Sequence, residues 1–208
     1  MNKGKFITLE GVEGVGKTTN LNYIANFFIE KGFDVVTTRE PGGTPIAENI
    51  RHILLDHNNE SLCGDAELLL MFAARAQHVE HVIKPALALG QYVICDRFTD
   101  ATYAYQGGGR HFPMESIAWL ENFVQKGFSP DMTILLDLPV AEGLKRAAKR
   151  SEPDRFESEK QSFFEDVRHV YLQRAAEDST RFKIIDASQN IKGVETQIYT
   201  HLKAIVES

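Results

Sequence analysis

The chain has 208 residues, with 23 Lys and Arg against 29 Asp and Glu, a formal net charge of −6. Its 43% hydrophobic and 25% charged residues are those of an ordinary globular domain, which excludes disorder, collagen-like repeats and a disulfide scaffold. The acidic balance argues against a nucleic-acid polymer as partner, and the longest apolar stretch, Leu68 to Ala74, is too short to span a bilayer.

Short apolar runs alternate with longer helical patterns. Phe6–Leu9, Val35–Thr38, Tyr92–Cys95, Met132–Leu136 and Phe182–Ile185 read as strands, apolar enough to be buried on both faces of a parallel sheet. A helix is predicted from Thr19 to Lys31, ending at Gly32, and another opens with Thr44 as N-cap and Pro45 in its first turn. Asp65 is expected to cap a long helix running toward Gly90, which Pro85 kinks or interrupts. Further helices fit Met114–Lys126, Val140–Lys149, Glu159–Glu177 and Gly193–Val206. The alternation predicts an α/β fold, a five-stranded parallel sheet with helices on both faces. No linker or repeat divides residues 1–208, so one domain is expected.

After the first strand comes Gly11-Val12-Glu13-Gly14-Val15-Gly16-Lys17-Thr18, a full G-x-x-x-x-G-K-T phosphate loop. Its glycines let backbone N–H groups face phosphate oxygens, and the helix that follows aims its positive end at the same anion. Lys17 suits the β- and γ-phosphates and the Thr18 hydroxyl suits Mg²⁺. The expectation is a P-loop NTPase fold that binds ATP with magnesium. Asp96-Arg97 follows the Tyr92 strand at the sheet edge where open α/β sheets bind ligands. Asp96 is the candidate metal-side carboxylate, with Asp137 competing, and Arg97 is the candidate grip on a second phosphate.

Arg39-Glu40-Pro41-Gly42-Gly43-Thr44 and Ala101–Gly109 offer a charge pair, aromatics and an amide suited to an acceptor. From Lys145 to Arg155 stand five bases against two acids, read as a segment from about 146 to 158 that closes over phosphate. His78 and His81 lack the i,i+4 spacing of a zinc helix and are read as an exposed helix face. Trp119 and Phe123 are expected in the core, and Cys95 as inert packing. With no signal-peptide core before the first strand and no metal or redox spacing between Cys63 and Cys95, a soluble cytoplasmic protein is expected.

GVEGVGKT, TREPGGT, MFAARAQH, DRF, AYQGGGR, LKRAAKR and DRFE stand in the order seen in bacterial thymidylate kinases, which the chain resembles over essentially its whole length. The resemblance implies transfer of the γ-phosphoryl of ATP to dTMP, with Mg²⁺, in a homodimer. It implies that Gly11 to Thr18 hold ATP and metal, with Glu13 near the sugar and the transferring group. Lys17, Arg97, Arg150 and Glu13 would form the catalytic set. Arg97 would bind the dTMP phosphate, helped by Arg39 and Arg51. Arg75 and Gln106 would read the thymine edge, with Thr102 lining it. Tyr105 would crowd the sugar 2′ position, and Arg146 would lie against adenine. Arg155, Asp154 and Glu157 would complete the closing segment, so the metal-side acid is Asp96, Glu13 or Glu157. The thymine-stacking phenylalanine of many relatives falls here on Met71, one residue before Phe72; Phe72 is the expected stacker, with Met71 as the alternative. Where some members carry a base after the P-loop acid, this chain has Gly14.

Overall fold

The computed structural model describes residues 4–59, 62–148 and 155–207. Its elements in chain order are β1 (Phe6–Glu10), α1 (Lys17–Glu30), β2 (Val35–Arg39), α2 (Pro45–Leu55), α3 (Gly64–His78), α4 (Lys84–Ala88), β3 (Tyr92–Asp96), α5 (Thr99–Thr102), α6 (Met114–Gln125), β4 (Met132–Asp137), α7 (Val140–Ala147), α8 (Gln161–Glu177), β5 (Phe182–Asp186) and α9 (Ile191–Glu207). The five strands form one parallel sheet in the order β2-β3-β1-β4-β5. Leu9 pairs with Asp96 and Glu10 with Leu135, so β1, β3 and β4 end together. The chain passes from β3 across β1 to β4, which opens a crevice at those carboxyl ends.

Strand alternation divides the core. Ile7, Leu9 and Ile94 join the larger apolar cluster, while Phe6, Val93 and Cys95 face the other way, against Val79, Ile83, Ala86 and Phe98. Both faces being covered accounts for the unbroken apolar runs of β1 and β4.

Thr44 caps α2 as expected, its hydroxyl accepting from the Ala47 N–H at 3.1 Å. Asp65 does not cap α3: Cys63 stands at the N-cap and Asp65 in the first turn, where its charge meets the helix dipole. The predicted long helix breaks at a π-helical turn, Val79–Ile83, just before Pro85, whose ring cannot accept the ordinary α-helical register with the carbonyl four residues earlier. Ala101–Gly109, read only as a source of aromatic and amide groups, is helical: α5 runs into a second π turn, Tyr103–Gly109. No helix among the described residues is long and apolar enough to cross a membrane.

Candidate active site

One cleft at the carboxyl ends of β1 and β3 is lined by P-loop residues Glu13, Gly14, Gly16, Lys17 and Thr18, and by Asp96 and Arg97. It continues between Arg51, Met71 and Arg75 on one side and Thr102, Tyr105 and Gln106 on the other.

At the P-loop end, Lys17 Nζ donates to the carbonyls of Gly11 and Val12 at 3.1 and 2.9 Å. Arg97 Nη1 donates to the same Gly11 carbonyl at 3.1 Å, and its other amino group pairs with Glu13 Oε1. Tyr105 Oη donates to that oxygen at 2.9 Å. Burial alone would raise the Glu13 carboxyl, but Arg97, Lys17 and the Tyr105 hydroxyl hold it down at about 2. Burial and the Arg97 charge lower the Lys17 ammonium against the pull of its carboxylate neighbours.

Arg97 adopts a left-handed backbone, φ 69°, which a side chain this large rarely takes. Its neighbours fix that turn. Its own N–H donates to Leu9 O at 3.0 Å, and the Phe98 N–H donates to Glu10 Oε1 at 2.7 Å. Glu10 Oε2 accepts from Tyr171 Oη at 2.7 Å. Burial, then the Asp100 charge, push the Glu10 carboxyl up to about 8. Cys95 lies fully buried beneath, its thiol donating to Arg97 O at 3.0 Å and raised well above its usual range by burial.

Asp96 lines the cleft with Oδ1 buried and without a hydrogen-bond partner among the described residues. Such an atom fits a hard cation or its water, and Thr18 lines the same cleft. Asp137, the competing candidate, is spoken for: Arg168 grips it with two nitrogens at 2.7 and 2.9 Å.

At the far end, Arg75 is locked in place. Its Nε donates to Glu40 Oε2 at 2.7 Å, and Nη2 donates to Thr102 Oγ1 at 2.9 Å and Phe98 O at 3.2 Å. Nη1 is buried and has no partner among the described residues. His78, expected on an exposed face, is fully buried: its Nδ1 meets Glu40 Oε1 at 2.9 Å and its Nε2 meets Thr38 Oγ1 at 2.7 Å. It is thus a prop behind Arg75, and among the described residues no cluster of three or more metal-ligating side chains forms. Gln106 is buried, its Nε2 donating to Glu67 Oε1 at 2.9 Å.

Several expectations change. Phe72 does not line the cleft; it is buried beneath the guanidinium of Arg75, 4.8 Å from its centroid, and Met71 takes the lining position because one helical step turns the two to different sides. Arg39 lies outside the cleft, paired at the surface with Glu48, which also accepts from the Gly43 N–H and so braces the loop. Arg51 lines the cleft, donating to Pro41 O at 3.0 Å. Arg146 sits apart, bonded to Glu142 and to Ala187 O, beside a shallow recess with Gln189 and Asn190. Arg150 and Asp154 lie outside the described residues, while Glu157 lines the cleft. Arg155 is anchored to Leu54 O and Glu67. Trp119 and Phe123 are not core: they stack 5.5 Å apart, 65% and 66% exposed.

Glu40, read with Arg39 as an acceptor-side charge pair, is instead buried behind Arg75, and Glu67, also buried, went unread as a site residue. The signal for Glu67 is its place two helical turns before Arg75, on the buried face of α3. The P-loop backbone explains one departure. Gly14 has φ +73°, and a Cβ there would lie 1.9 Å from the carbonyl oxygen of Gly143, so the base of other members has no room.

The Thymidylate kinase family model matches residues 9–198. The chain is 58% identical over 204 residues to a thymidylate kinase of Pseudomonas putida strain GB-1, covering 98% of this chain and 97% of that one. It is 56% identical over 205 residues to that of Ectopseudomonas mendocina strain ymp, with 99% and 98% covered. The crystal structure of thymidylate kinase from Ehrlichia chaffeensis superposes with TM-score 0.79 at 32% identity, covering 96% and 98%. With a phosphate loop and a second cationic grip in one cleft, and matches running nearly end to end in sequence and in fold, this chain belongs to the thymidylate kinase family.

Proposed function

We propose that this chain transfers the γ-phosphoryl group of ATP to dTMP, giving dTDP and ADP. One observation carries the reading: Lys17 from the P-loop and Arg97 from the end of β3 share the Gly11 carbonyl and flank the Glu13 carboxylate. Two cations so placed meet where a donor and an acceptor phosphate must touch, and beyond them runs a slot ending in Arg75 and Gln106. A switch ATPase needs no such second arm.

In this reading the P-loop N–H groups and Lys17 hold the donor phosphates, and Arg97 orients the acceptor phosphate for in-line attack. Arg51 assists Arg97. Thr18 and Asp96 would hold Mg²⁺, which neutralises charge on the β- and γ-phosphates when bound. Glu13 keeps Arg97 and Tyr105 aligned, and its low proton affinity keeps it an anion throughout the working range. Tyr105 stands beside the sugar. Met71 supplies the ring's floor, and Arg150, beyond α7, the charge that arrives on closure. Arg146 and its recess serve adenine.

The stacked Trp119 and Phe123 are exposed on α6, which packs against α3 with its exposed Leu69, and these apolar side chains suit a homodimer. An acidic chain with free cysteines and without a membrane-crossing helix among its described residues suits the cytoplasm.

The test is an acceptor screen across nucleoside monophosphates with ATP, products resolved by chromatography. dTDP formed in step with ADP, with dTMP preferred, supports the reading. ADP formed without a diphosphate product, or another acceptor preferred, overturns it.

A further inference from the structure

Glu67 stands on α3 outside the cleft lining, its side chain only 2% exposed, yet several groups around the slot end on it. Its Oε1 accepts from Gln106 Nε2 at 2.9 Å and lies 3.5 Å from Arg110 Nε; its Oε2 accepts from Arg155 Nη2 at 2.6 Å. The two guanidiniums also cover the Phe156 ring, at 5.6 and 4.6 Å from its centroid, and that ring lines the cleft.

Both oxygens of Glu67 face guanidinium N–H groups and act as acceptors. Only the NH2 end of the Gln106 carboxamide can therefore meet it. We infer that Glu67 is a positioning residue that sets base specificity: it fixes the Gln106 carboxamide so that the carbonyl oxygen faces the cleft as a hydrogen-bond acceptor. Arg75 lines the same cleft, and its Nη1, without a partner among the described residues, supplies a donor there. One donor next to one acceptor matches a pyrimidine with a carbonyl at position 4 and a proton on N3. It mismatches a 4-amino pyrimidine, which offers the reverse at both points. This inference rests on dTMP being the acceptor, but assigns the choice between base classes to a residue that never touches the base.

Glu67→Gln tests it. Arg155, at 2.6 Å the closer of the two arginines, holds the carbonyl oxygen of the new side chain, so its NH2 takes the place of Oε1 and faces Gln106. The Gln106 amide then rotates to accept, and presents an N–H where thymine has one. An unpaired donor facing a donor in a buried slot lowers the dTMP-to-dCMP ratio of kcat/KM by about 10- to 100-fold, mainly through KM for dTMP. The exchanged pair Glu67→Gln with Gln106→Glu returns an acceptor to the cleft and recovers most of the ratio. A purely structural Glu67 would lower both substrates together and leave the ratio alone.

The unsubstituted protein is assayed alongside. If it fails to prefer dTMP, the proposed function falls. If it prefers dTMP while folded Glu67→Gln keeps the ratio within twofold, the inference about Glu67 falls. Should the single variant not fold, the exchanged pair decides: dTMP preference near the parent supports the inference, and its loss overturns it.

Discussion

The guanidinium of Arg97 lies 4.7 Å over the ring of Tyr105, and both side chains end on the same oxygen of Glu13. The two proposed acceptor contacts are therefore one mechanical unit. Arg97→Ala removes the acceptor-phosphate grip and also frees Tyr105 and Glu13. It should raise KM for dTMP by at least about tenfold, with a further loss in kcat from a misplaced acceptor. Arg97→Lys keeps the charge but loses the two-pronged geometry, so it should recover only part of KM. Steady-state kinetics with dTMP varied at saturating ATP checks both; an unchanged KM in the Ala variant removes Arg97 from the acceptor site.

Tyr105→Phe keeps the ring under Arg97 and loses the bond to Glu13, so a few-fold drop in kcat/KM is expected, with the preference for deoxyribose intact. Tyr105→Ala empties a site bounded by Phe156, Phe163 and Tyr171 and should cost about 3–5 kcal/mol of stability. It should also raise relative use of the ribonucleotide, because the space beside the sugar opens. Competition between the deoxy and ribo forms of thymidylate reads this directly; the parent ratio in the Ala variant would place the gate elsewhere.

Lys17→Ala leaves developing phosphate charge uncompensated in a largely enclosed site. Losing one such contact costs on the order of 10²–10³ in kcat. Turnover near the parent value at saturating ATP contradicts the role given to Lys17.

The Glu10 carboxyl carries a pH signature. Its value is about 8 in the folded chain against 4.5 for the free group, so the folded state binds the extra proton between those limits. That stabilisation is complete below about pH 4.5 and is lost as pH rises through 8. The parent protein should lose on the order of a few kcal/mol across that window. Glu10→Gln keeps an oxygen for the Phe98 N–H and should show a flatter fall in Tm between pH 6 and 8.5. Equal slopes in scanning calorimetry would refute the assignment.

Trp119→Glu should convert a dimer to a monomer by placing a charge on the stacked apolar face. Sedimentation across a range of protein concentrations measures it, and an unchanged mass moves the interface to another surface.

The sheet was legible because both-face burial demands continuous apolar runs, and the P-loop because phosphate chemistry dictates its spacing. The helical course of Ala101–Gly109 was not, since glycine is a poor helix former; its glycines serve packing, and a Cβ on Gly109 would lie 2.3 Å from the Phe163 ring. Trp119 and Phe123 follow helical spacing, and that spacing cannot tell a core face from an apolar surface one. Phe72 against Met71 turned on a single helical step, which the arginine packed over the phenylalanine decides. Arg39 pointed to an anion by its neighbours in sequence, but Glu48, nine residues on, holds it at the surface.

Gly14 and Gly143 narrow the routes open to this chain by single substitutions. A Cβ on Gly143 would fall 2.4 Å from the Glu13 carbonyl oxygen, as one on Gly14 falls against Gly143 itself. Neither position can gain a side chain unless α7 first backs away from the phosphate loop, and the two must then change together. A lineage built this way cannot relocate its closing charge into the loop by one step. Grafting the basic loop of a relative onto this scaffold therefore requires the first turn of α7 to travel with it.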